Sequence, residues 1–544
     1  MKNFAIGIDY GTQSARALLL NLVTGEEVAV VEAAYPHAVM DRQLPCGTPL
    51  GSHWALQHPA DYLAVLTGTL PELLERSGIG AHQIAGVGID FTACTLLPVD
   101  AEGLPLCLRP EFEKDPYSFA FLWKHHAAQP YADRLNDMAA NQPWLARYGG
   151  KISSEWAFPK MWQVAAEAPQ VWNAADRFVE ATDFIVFALT GQWTRSACTA
   201  GYKAIWQGPE AGFPGEDFWV SCDPRLEGVL HKMRGPVMDL AACAGGITPA
   251  MAAATGLAEG TPVAIGNVDA HVCVPAAGIT EPGSLLAIMG TSTCHMLLAD
   301  HEVMVPGQCG VVWGGILPGQ FGYEAGQSCV GDHFNWAAQT CAGPEIAAAA
   351  EAAGHSVQQE LTARAEKLRP GQSGLLALDW FNGNRSVLVD TALTGLVMGM
   401  TLTTQPHEIY RALVEATAYG TRMIVENFEK NGLPVTQFVA AGGITQKNAM
   451  VMQIYADVLA RPILLATSPQ APARGSAMFG AVAGGAFADI YEATRVLGRQ
   501  KIGFLPNPEN TALYNKLYAE YVTLHDHFGR GANDVMKRLL EMKG

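Results

Sequence analysis

One layout occurs twice in this chain of 544 residues, and it constrains the fold more than any other feature. An apolar, strand-like run enters a short turn rich in Gly, Thr and Ser, and a second apolar run follows at once. The two copies read GIDYGTQSARALLL (7–20) and AIMGTSTCHMLLA (287–299). Weak self-similarity of this kind is what two copies of one structural unit leave behind. The sequence therefore predicts two related halves, each containing a strand–turn–strand hairpin.

The first copy carries an acid inside its apolar run, at Asp9. A buried carboxylate costs folding free energy unless it is paired or has a function. The turn after it offers backbone N–H groups and hydroxyls that can surround a phosphate, from Gly11, Thr12, Gln13 and Ser14. At the edge of such a turn, Asp9 would hold a metal ion through water. The alternative is a hairpin turn with a capped acid and no ligand.

The second copy offers the same chemistry at Gly290, Thr291 and Ser292. Two phosphate-binding hairpins facing each other across a cleft would clamp a nucleotide triphosphate. The alternative is that both are ordinary Gly/Thr/Ser turns.

A third glycine site follows the strand-like run FVAA (438–441). Gly442 and Gly443 stand there, and a helix is expected to start near Gln446 to Asn448. Glycines at a helix N-terminus would let an adenine and ribose lie against bare backbone, whereas a plain strand–helix turn is the alternative. The chain has no G-x-x-x-x-G-K-[ST] motif, so a P-loop ATPase is not indicated.

Strand-like and helix-like segments alternate along the chain, which indicates an α/β fold. A chain of 544 residues is too long for one hydrophobic core, so two large domains are expected. We place their boundary near residue 250, which gives domains of 1–250 and 251–544.

The formal net charge of −17 argues against a nucleic-acid or anionic-membrane binder, because both need a basic face. This charge does not exclude anionic ligands, because backbone N–H groups bind phosphate without net positive charge. The 11 cysteines include no C-x-x-C pair, and no secretory leader precedes Asp9. We therefore expect reduced thiols and a cytoplasmic location.

These glycine elements resemble the three nucleotide elements of the FGGY carbohydrate kinases. The stretch GLVMGMTLTTQPHEIYRALVE (395–415) follows the family's C-terminal signature, with a larger residue than usual at Leu413. The stretch WAFPKMWQ (156–163) keeps Lys160 and Trp162 of the N-terminal signature. The resemblance covers nearly the whole chain and implies two actin-like, ribonuclease-H-like domains flanking a cleft for ATP and sugar.

Other stretches resemble the family members that phosphorylate ribulose. They are GSHWALQHPADYL (51–63), LWKHHAAQPYADRLN (122–136) and GYEAGQSCVGDHFNWA (322–337). The implied reaction transfers the γ-phosphoryl of ATP to a primary hydroxyl, giving ribulose 5-phosphate in the catabolism of L-arabinose and other pentoses. ATP would react as its Mg²⁺ complex, with Asp9 beside the metal.

The resemblance also implies the residues that meet the sugar. Asp269, on the second domain, would be the catalytic base and contact the substrate, whereas a helix-capping Asp is the alternative. Lys203, Glu324 and the backbone around Ala93 would bind the sugar, with Thr92 and Asp90 lining the same pocket. A solvated lysine and a surface ion pair are the alternatives for Lys203 and Glu324.

Two other functions stay open on the sequence. One is a kinase for another sugar or polyol, such as xylulose or glycerol. The other is an actin-like ATPase whose output is a conformational change in a partner. The expected partners are a small sugar and ATP, and the expected assembly is a homodimer.

Overall fold

The computed structural model describes residues 2–543 and divides into two compact units. The first unit contains the residues up to Thr280, together with Val311–Gly322 and Gln470–Arg499. The second unit contains Glu281–Gly310, Tyr323–Pro469 and the chain from Gln500 onward. Among residues 2–543, no helix combines the length and the apolar character that a membrane span needs.

Strands occur throughout both units and are numbered here in chain order. They are β1 (Phe4–Tyr10), β2 (Ser14–Asn21), β3 (Glu27–Ala34), β4 (Leu56–Gln57), β5 (Ile84–Phe91), β6 (Leu96–Val99), β7 (Ala120–Phe121), β8 (Arg177–Glu180), β9 (Arg195–Ser196), β10 (Val237–Met238), β11 (Cys243–Gly246), β12 (Pro262–Ala264), β13 (Asn267–Val268), β14 (Ser284–Met289), β15 (Thr293–Ala299), β16 (Gly310–Trp313), β17 (Phe321–Gln327), β18 (Leu376–Leu378), β19 (Leu396–Met398), β20 (Gln437–Ala441), β21 (Ile463–Ala466) and β22 (Gln500–Phe504).

Helices alternate with these strands, as the sequence pattern predicts. They are α1 (Pro59–Ser77), α2 (Gln129–Ala139), α3 (Ala157–Glu167), α4 (Pro169–Ala174), α5 (Ala181–Thr190), α6 (Ala197–Lys203), α7 (Glu216–Cys222), α8 (Val229–Lys232), α9 (Pro249–Thr255), α10 (Asp269–Ala276), α11 (Gly331–Thr340), α12 (Pro344–Ala353), α13 (Val357–Ala365), α14 (Pro406–Lys430), α15 (Gly443–Lys447), α16 (Ala449–Leu459), α17 (Ala471–Ala483), α18 (Ile490–Leu497), α19 (Pro508–Gly529) and α20 (Val535–Lys543). Many begin with proline in the first turn, where a missing N–H costs nothing.

The first unit is built on a mixed sheet in the order β11-β12-β5-β1-β2-β3, and β13 also pairs with β5. β1 and β2 form the expected antiparallel hairpin, whose register places Asp9 opposite Arg16. β5 runs parallel to β1 on its other side and places Asp90 beside Asp9. A smaller sheet in the order β4-β7-β6-β8 belongs to the same unit.

Helix α17 packs against β1 and β5 at unusually short range because glycines replace side chains in the strands. A Cβ on Gly88 would lie 1.8 Å from the carbonyl oxygen of Ser476. Only a residue without a side chain fits at that distance. This close approach brings the hydroxyl of Ser476 to Asp90.

The second unit repeats the arrangement around the second hairpin. β14 and β15 are antiparallel neighbours with Met289 opposite Thr293, and β20 runs parallel to β14. The sheet continues from β20 to β21 and β22. The prediction of two hairpins of one design is therefore confirmed.

The sequence-based boundary near residue 250 falls at α9. β12, β13 and α10 lie beyond it yet belong to the first unit, because β12 and β13 both pair with β5. This corrects the expected position of Asp269. The structure places Asp269 in the first unit, together with Asp9, and not on a second domain.

Candidate active site

Three acidic residues gather at one edge of the first sheet. Asp9 and Asp90 are the penultimate residues of β1 and β5, and Asp269 directly follows β13. Register pairs Asp90 with Asp9 on one side and with Asn267 on the other. The three strands are parallel, so their carboxyl ends meet at the same edge, where open α/β sheets bind ligands.

Asp9 and Asp90 are buried and differ in their partners. A guanidinium nitrogen of Arg16 lies 3.4 Å from Oδ2 of Asp9, and the Ser476 hydroxyl donates to Oδ2 of Asp90 at 2.5 Å. Oδ1 of Asp90 is also buried and has no hydrogen-bond partner among residues 2–543. Burial raises the pKa of Asp9 and raises the pKa of Asp90 well above its ordinary value. Oxygen donors of this kind fit a hard cation such as Mg²⁺.

Asp269 is the first residue of α10 and is only half-buried. Its Oδ1 accepts the N–H of the adjacent Ala270 at 2.6 Å, a local contact within the first turn of α10, whose N-cap position is Val268. The positive end of the helix dipole favours the ionised form of a carboxylate at this position. An ionised, partly accessible carboxylate is also what a general base requires. The structure is therefore compatible with a general base and with a residue that only stabilises the start of α10.

The first turn, from Gly11 to Ser14, is a tight link that other elements hold in place. The N–H of Gly11 donates to the carbonyl of Ser14 at 2.9 Å. Gln57 donates to the Thr12 carbonyl at 2.8 Å, and the indole N–H of Trp123 donates to the Thr12 hydroxyl at 3.1 Å. Gln13 is exposed and the other turn residues are half-buried, so the turn is accessible to a ligand.

Ala93 lies in the turn that follows β5, and Lys203 is the last residue of α6. Only 6% of Lys203 is exposed, which excludes the solvated-lysine alternative. Its ammonium lies 6.0 Å from the centre of the Trp156 ring and 5.9 Å from that of Tyr202. Aromatic faces stabilise a cation at this range.

In the second unit, the turn of Gly290, Thr291 and Ser292 has the same internal bond as the first turn. The N–H of Gly290 donates to the carbonyl of Ser292 at 2.9 Å. The N–H groups of Val330 and Gly331 donate to the carbonyls of Thr291 and Gly290 at 2.7 and 3.0 Å. These bonds leave the exposed side of the turn available for a ligand.

Gly442 has a positive φ of 98°, and a Cβ there would lie 2.3 Å from the carbonyl oxygen of Met289. A short helix, α15, begins directly at Gly443, and the helix expected to start near Gln446 to Asn448 is α16, which begins at Ala449. Asn448 caps α16 by accepting the N–H of Val451 at 3.2 Å. Gly442 and Gly443 therefore leave the turn without side chains, whereas the side chain of Asn448 caps α16.

Glu324 lies on β17 with only 5% of its surface exposed, which excludes the surface ion-pair alternative. The first unit therefore holds Asp9, the first turn, Ala93, Lys203 and Asp269, and the second holds Glu324, the second turn and the Gly442 site.

Two residues near these sites were not singled out from the sequence, Arg16 and Ser476. Arg16 has a detectable signal in the sequence, since a two-strand hairpin places it opposite Asp9. Ser476 has none, because 386 residues separate it from Asp90.

Another group of potential metal ligands consists of His37, His58 and Asp61, whose ligand atoms lie within 4.8 Å of one another. The two imidazole rings stack at 4.4 Å with an angle of 19° between their planes. Nδ1 of His37 contacts Oδ1 of Asp61 at 2.7 Å, and Nδ1 of His58 accepts the N–H of Ala60. Ring nitrogens bind metals in the ring plane, so stacked rings do not converge on one ion. The group instead caps the start of α1.

Family models match almost the whole chain. The model for the N-terminal domain of the FGGY family of carbohydrate kinases matches residues 4–274, and the model for the C-terminal domain matches residues 285–484.

Individual proteins show the same likeness. A ribulokinase from Geobacillus thermodenitrificans is 54% identical over 551 residues, covering 100% of this chain and 97% of the relative. A ribulokinase from Mycolicibacterium smegmatis is 48% identical, covering 99% and 96%. Among solved structures, a xylulose kinase from Rhodospirillum rubrum has a TM-score of 0.79 at 24% identity, covering 96% of this chain and 98% of its own. A gluconate kinase from Lactobacillus acidophilus has a TM-score of 0.81 at 17% identity, covering 97% and 98%.

Proposed function

Because this chain belongs to the FGGY family of carbohydrate kinases, we propose that it phosphorylates ribulose with ATP, giving ribulose 5-phosphate and ADP. The observation that carries the choice of sugar is the identity of 48–54% to ribulokinases along the full chain. The xylulose and gluconate kinases support only the fold, since they are below 25% identical.

Asp269 is the proposed general base. In the reaction, the primary hydroxyl of ribulose attacks the γ-phosphorus of ATP, its proton passes to the Asp269 carboxylate, and the bond to the ADP oxygen breaks. Support comes from the position of Asp269 at the ligand-binding edge of the sheet and at the N-terminus of α10. Helix N-termini stabilise the carboxylate that must accept the proton.

Lys203, Glu324 and the Ala93 backbone are the proposed sugar contacts. Both charged side chains are almost fully buried, so neither is a solvated surface charge. A cation and an anion can bind the carbonyl and hydroxyls of a ketopentose.

The two glycine-rich turns and the Gly442–Gly443 backbone are the proposed nucleotide contacts. The turns, Gly11 to Ser14 and Gly290 to Ser292, would meet phosphates through N–H groups and hydroxyls. Gly442, Gly443 and Asn448 would border the adenosine. Asp9 would hold Mg²⁺, with Asp90 beside it, and the ion would neutralise phosphate charge during transfer.

The same proposal includes a cytoplasmic location and a homodimeric assembly. Within residues 2–543, which include all 11 cysteines, no disulfide bond is formed, which suits a reducing cytosol. The homodimer stays a prediction that light scattering measures directly.

Coupled measurement of ADP release tests the proposed function. We expect ATP turnover to rise strongly with L-ribulose or D-ribulose and far less with D-xylulose, ribitol or glycerol. Strong activity on xylulose or glycerol, with none on either ribulose, would contradict the proposed substrate. Turnover that no polyol stimulates would favour the ATPase switch.

Asp269→Asn tests the base, and Asp489→Asn is its matched control. Asp489 is an exposed N-cap in the same unit and accepts the N–H of Glu492 at 2.7 Å. Loss of a general base lowers turnover by roughly 10²–10⁴-fold. If Asp269 only stabilises the start of its helix, both variants will keep near-normal turnover, and the assignment is wrong.

A further inference from the structure

Lys160, on helix α3, is a completely buried lysine, with 0% of its surface exposed. Its ammonium donates to the backbone carbonyls of Cys94 at 2.6 Å, Leu122 at 2.9 Å and Phe121 at 3.5 Å. An ammonium has three N–H donors, so these contacts use all of them. Burial lowers the pKa of Lys160, which reflects the cost of keeping this charge inside the protein.

The Cys94 carbonyl belongs to the turn that carries Ala93. Cys94 has a positive φ of 60°, which is costly for a residue with a side chain. The hydroxyls of Thr92 and Thr95 lie 3.0 Å apart across the same turn. A strained turn of this kind persists only when surrounding groups hold it, and Lys160 supplies one such contact.

The Leu122 carbonyl belongs to the segment that contacts the first turn, Gly11 to Ser14. The next residue, Trp123, donates its indole N–H to the Thr12 hydroxyl at 3.1 Å. A second residue of α3 holds the same segment, since the Gln163 side-chain oxygen lies 3.1 Å from Nε2 of His125. Helix α3 therefore fixes both the turn at Ala93 and the segment that contacts Thr12.

We infer that Lys160 is a positioning residue: its buried ammonium fixes the Ala93 turn relative to the Leu122–Trp123 segment, and through Trp123 relative to the phosphate turn at Thr12. The sugar-binding part of this inference rests on the proposed role of Ala93. Without the ammonium, the carbonyls of Cys94, Phe121 and Leu122 each lose one donor, although Leu122 keeps the N–H of His125 at 3.0 Å, and the turn at Cys94 can relax.

Lys160→Met tests this role because methionine keeps most of the side-chain volume and removes the donors. Lys232→Met is the matched control. The Lys232 ammonium also donates to two carbonyls of the first unit, those of Trp172 at 2.8 Å and Ala175 at 2.6 Å. Burial lowers its pKa as well, but neither carbonyl belongs to a residue assigned to sugar or ATP.

We expect Lys160→Met to raise the KM for the sugar by about 10-fold or more, the loss typical of hydrogen bonds from a charged donor. Lys232→Met should lower the melting temperature and leave both KM values within about twofold. Wild-type turnover on ribulose tests the proposed function separately. The comparison of variants uses whichever sugar of the panel the wild type phosphorylates, so the two failures are distinguishable.

Two further measurements keep the inference testable if Lys160→Met folds poorly. In Lys160→Ala, added n-propylammonium should restore sugar affinity, whereas n-propanol should not. Trp123→Phe removes the donor to Thr12, replaces the indole by a smaller ring, and should raise the KM for ATP by roughly 2–10-fold. The inference is overturned if Lys160→Met matches Lys232→Met in sugar KM, if propanol rescues as well as the amine, or if Trp123→Phe leaves ATP binding unchanged.

Discussion

Gly442→Ala is the substitution whose effect on the free energy of unfolding follows most directly from the structure. Gly442 combines a φ of 98° with a ψ of 175°, a region that glycine alone occupies readily. A Cβ at this position would also lie 2.3 Å from the carbonyl oxygen of Met289. Met289 ends β14, directly before the turn at Gly290. Relief of the overlap must therefore move the backbone at one proposed nucleotide contact or the other.

The cost has a conformational and a steric part. The backbone strain of a side chain at this φ and ψ is roughly 1–3 kcal/mol. Overlap with a backbone atom in a packed site adds about 1–3 kcal/mol. In a domain of this size, each 1 kcal/mol lowers the melting temperature by roughly 2–4 °C.

Gly432→Ala is the matched control for the conformational part. Gly432 follows α14 with a φ of 87°, and a Cβ there has nothing within 4 Å. We expect strain of roughly 1–2 kcal/mol and unchanged kinetics. Thermal unfolding by circular dichroism gives the stability of both variants, and coupled ADP release gives both KM values.

We expect Gly442→Ala to melt several degrees below Gly432→Ala and to raise the KM for ATP by about tenfold, equivalent to 1.4 kcal/mol. The sugar KM should change little. Equal melting temperatures for the two variants would refute the steric argument. An unchanged KM for ATP would refute the assignment of Gly442 to the nucleotide site.

Two predictions concern stability alone. Tyr521→Phe removes the hydroxyl that donates to Oδ1 of the buried Asp379 at 2.7 Å. The free energy of unfolding should therefore fall by about 1–3 kcal/mol, while both KM values stay unchanged. An unaltered midpoint of urea unfolding would contradict this prediction. Burial lowers the pKa of His125 from 6.5 to about 3, so below pH 6.5 the unfolded chain binds a proton that the folded chain excludes. The stability should therefore fall by up to about 1.4 kcal/mol per pH unit for this group as the pH drops below 6.5. His125→Gln should show a shallower fall between pH 7 and pH 5, and equal slopes would show that another group is responsible.

The sequence predicts the parts of this protein that depend on local pattern. Two apolar runs joined by a turn rich in Gly, Thr and Ser predict a hairpin at each of two places, and both hairpins are present. Gly442 is also readable as a backbone approach site, because a strand that meets two glycines before a helix leaves no side chain at the turn. These features need only interactions between residues close in the chain.

Domain membership depended on the tertiary structure. A boundary near residue 250 is reasonable from composition, but strand pairing with β5 keeps β12, β13 and Asp269 in the first unit. Pairing between strands far apart in the chain leaves no local signal, since any apolar strand can pair with several others.

Burial and long-range polar contacts were decided in the same way. Lys203 and Glu324 read as surface charges until the fold encloses them, and Ser476 meets Asp90 only because glycine-lined strands let α17 approach. The chain by itself determined which residue types stand at its turns and strand ends. Only close packing of distant segments decided which of those residues lose water and meet one another, because desolvation and hydrogen bonding depend on neighbours in space.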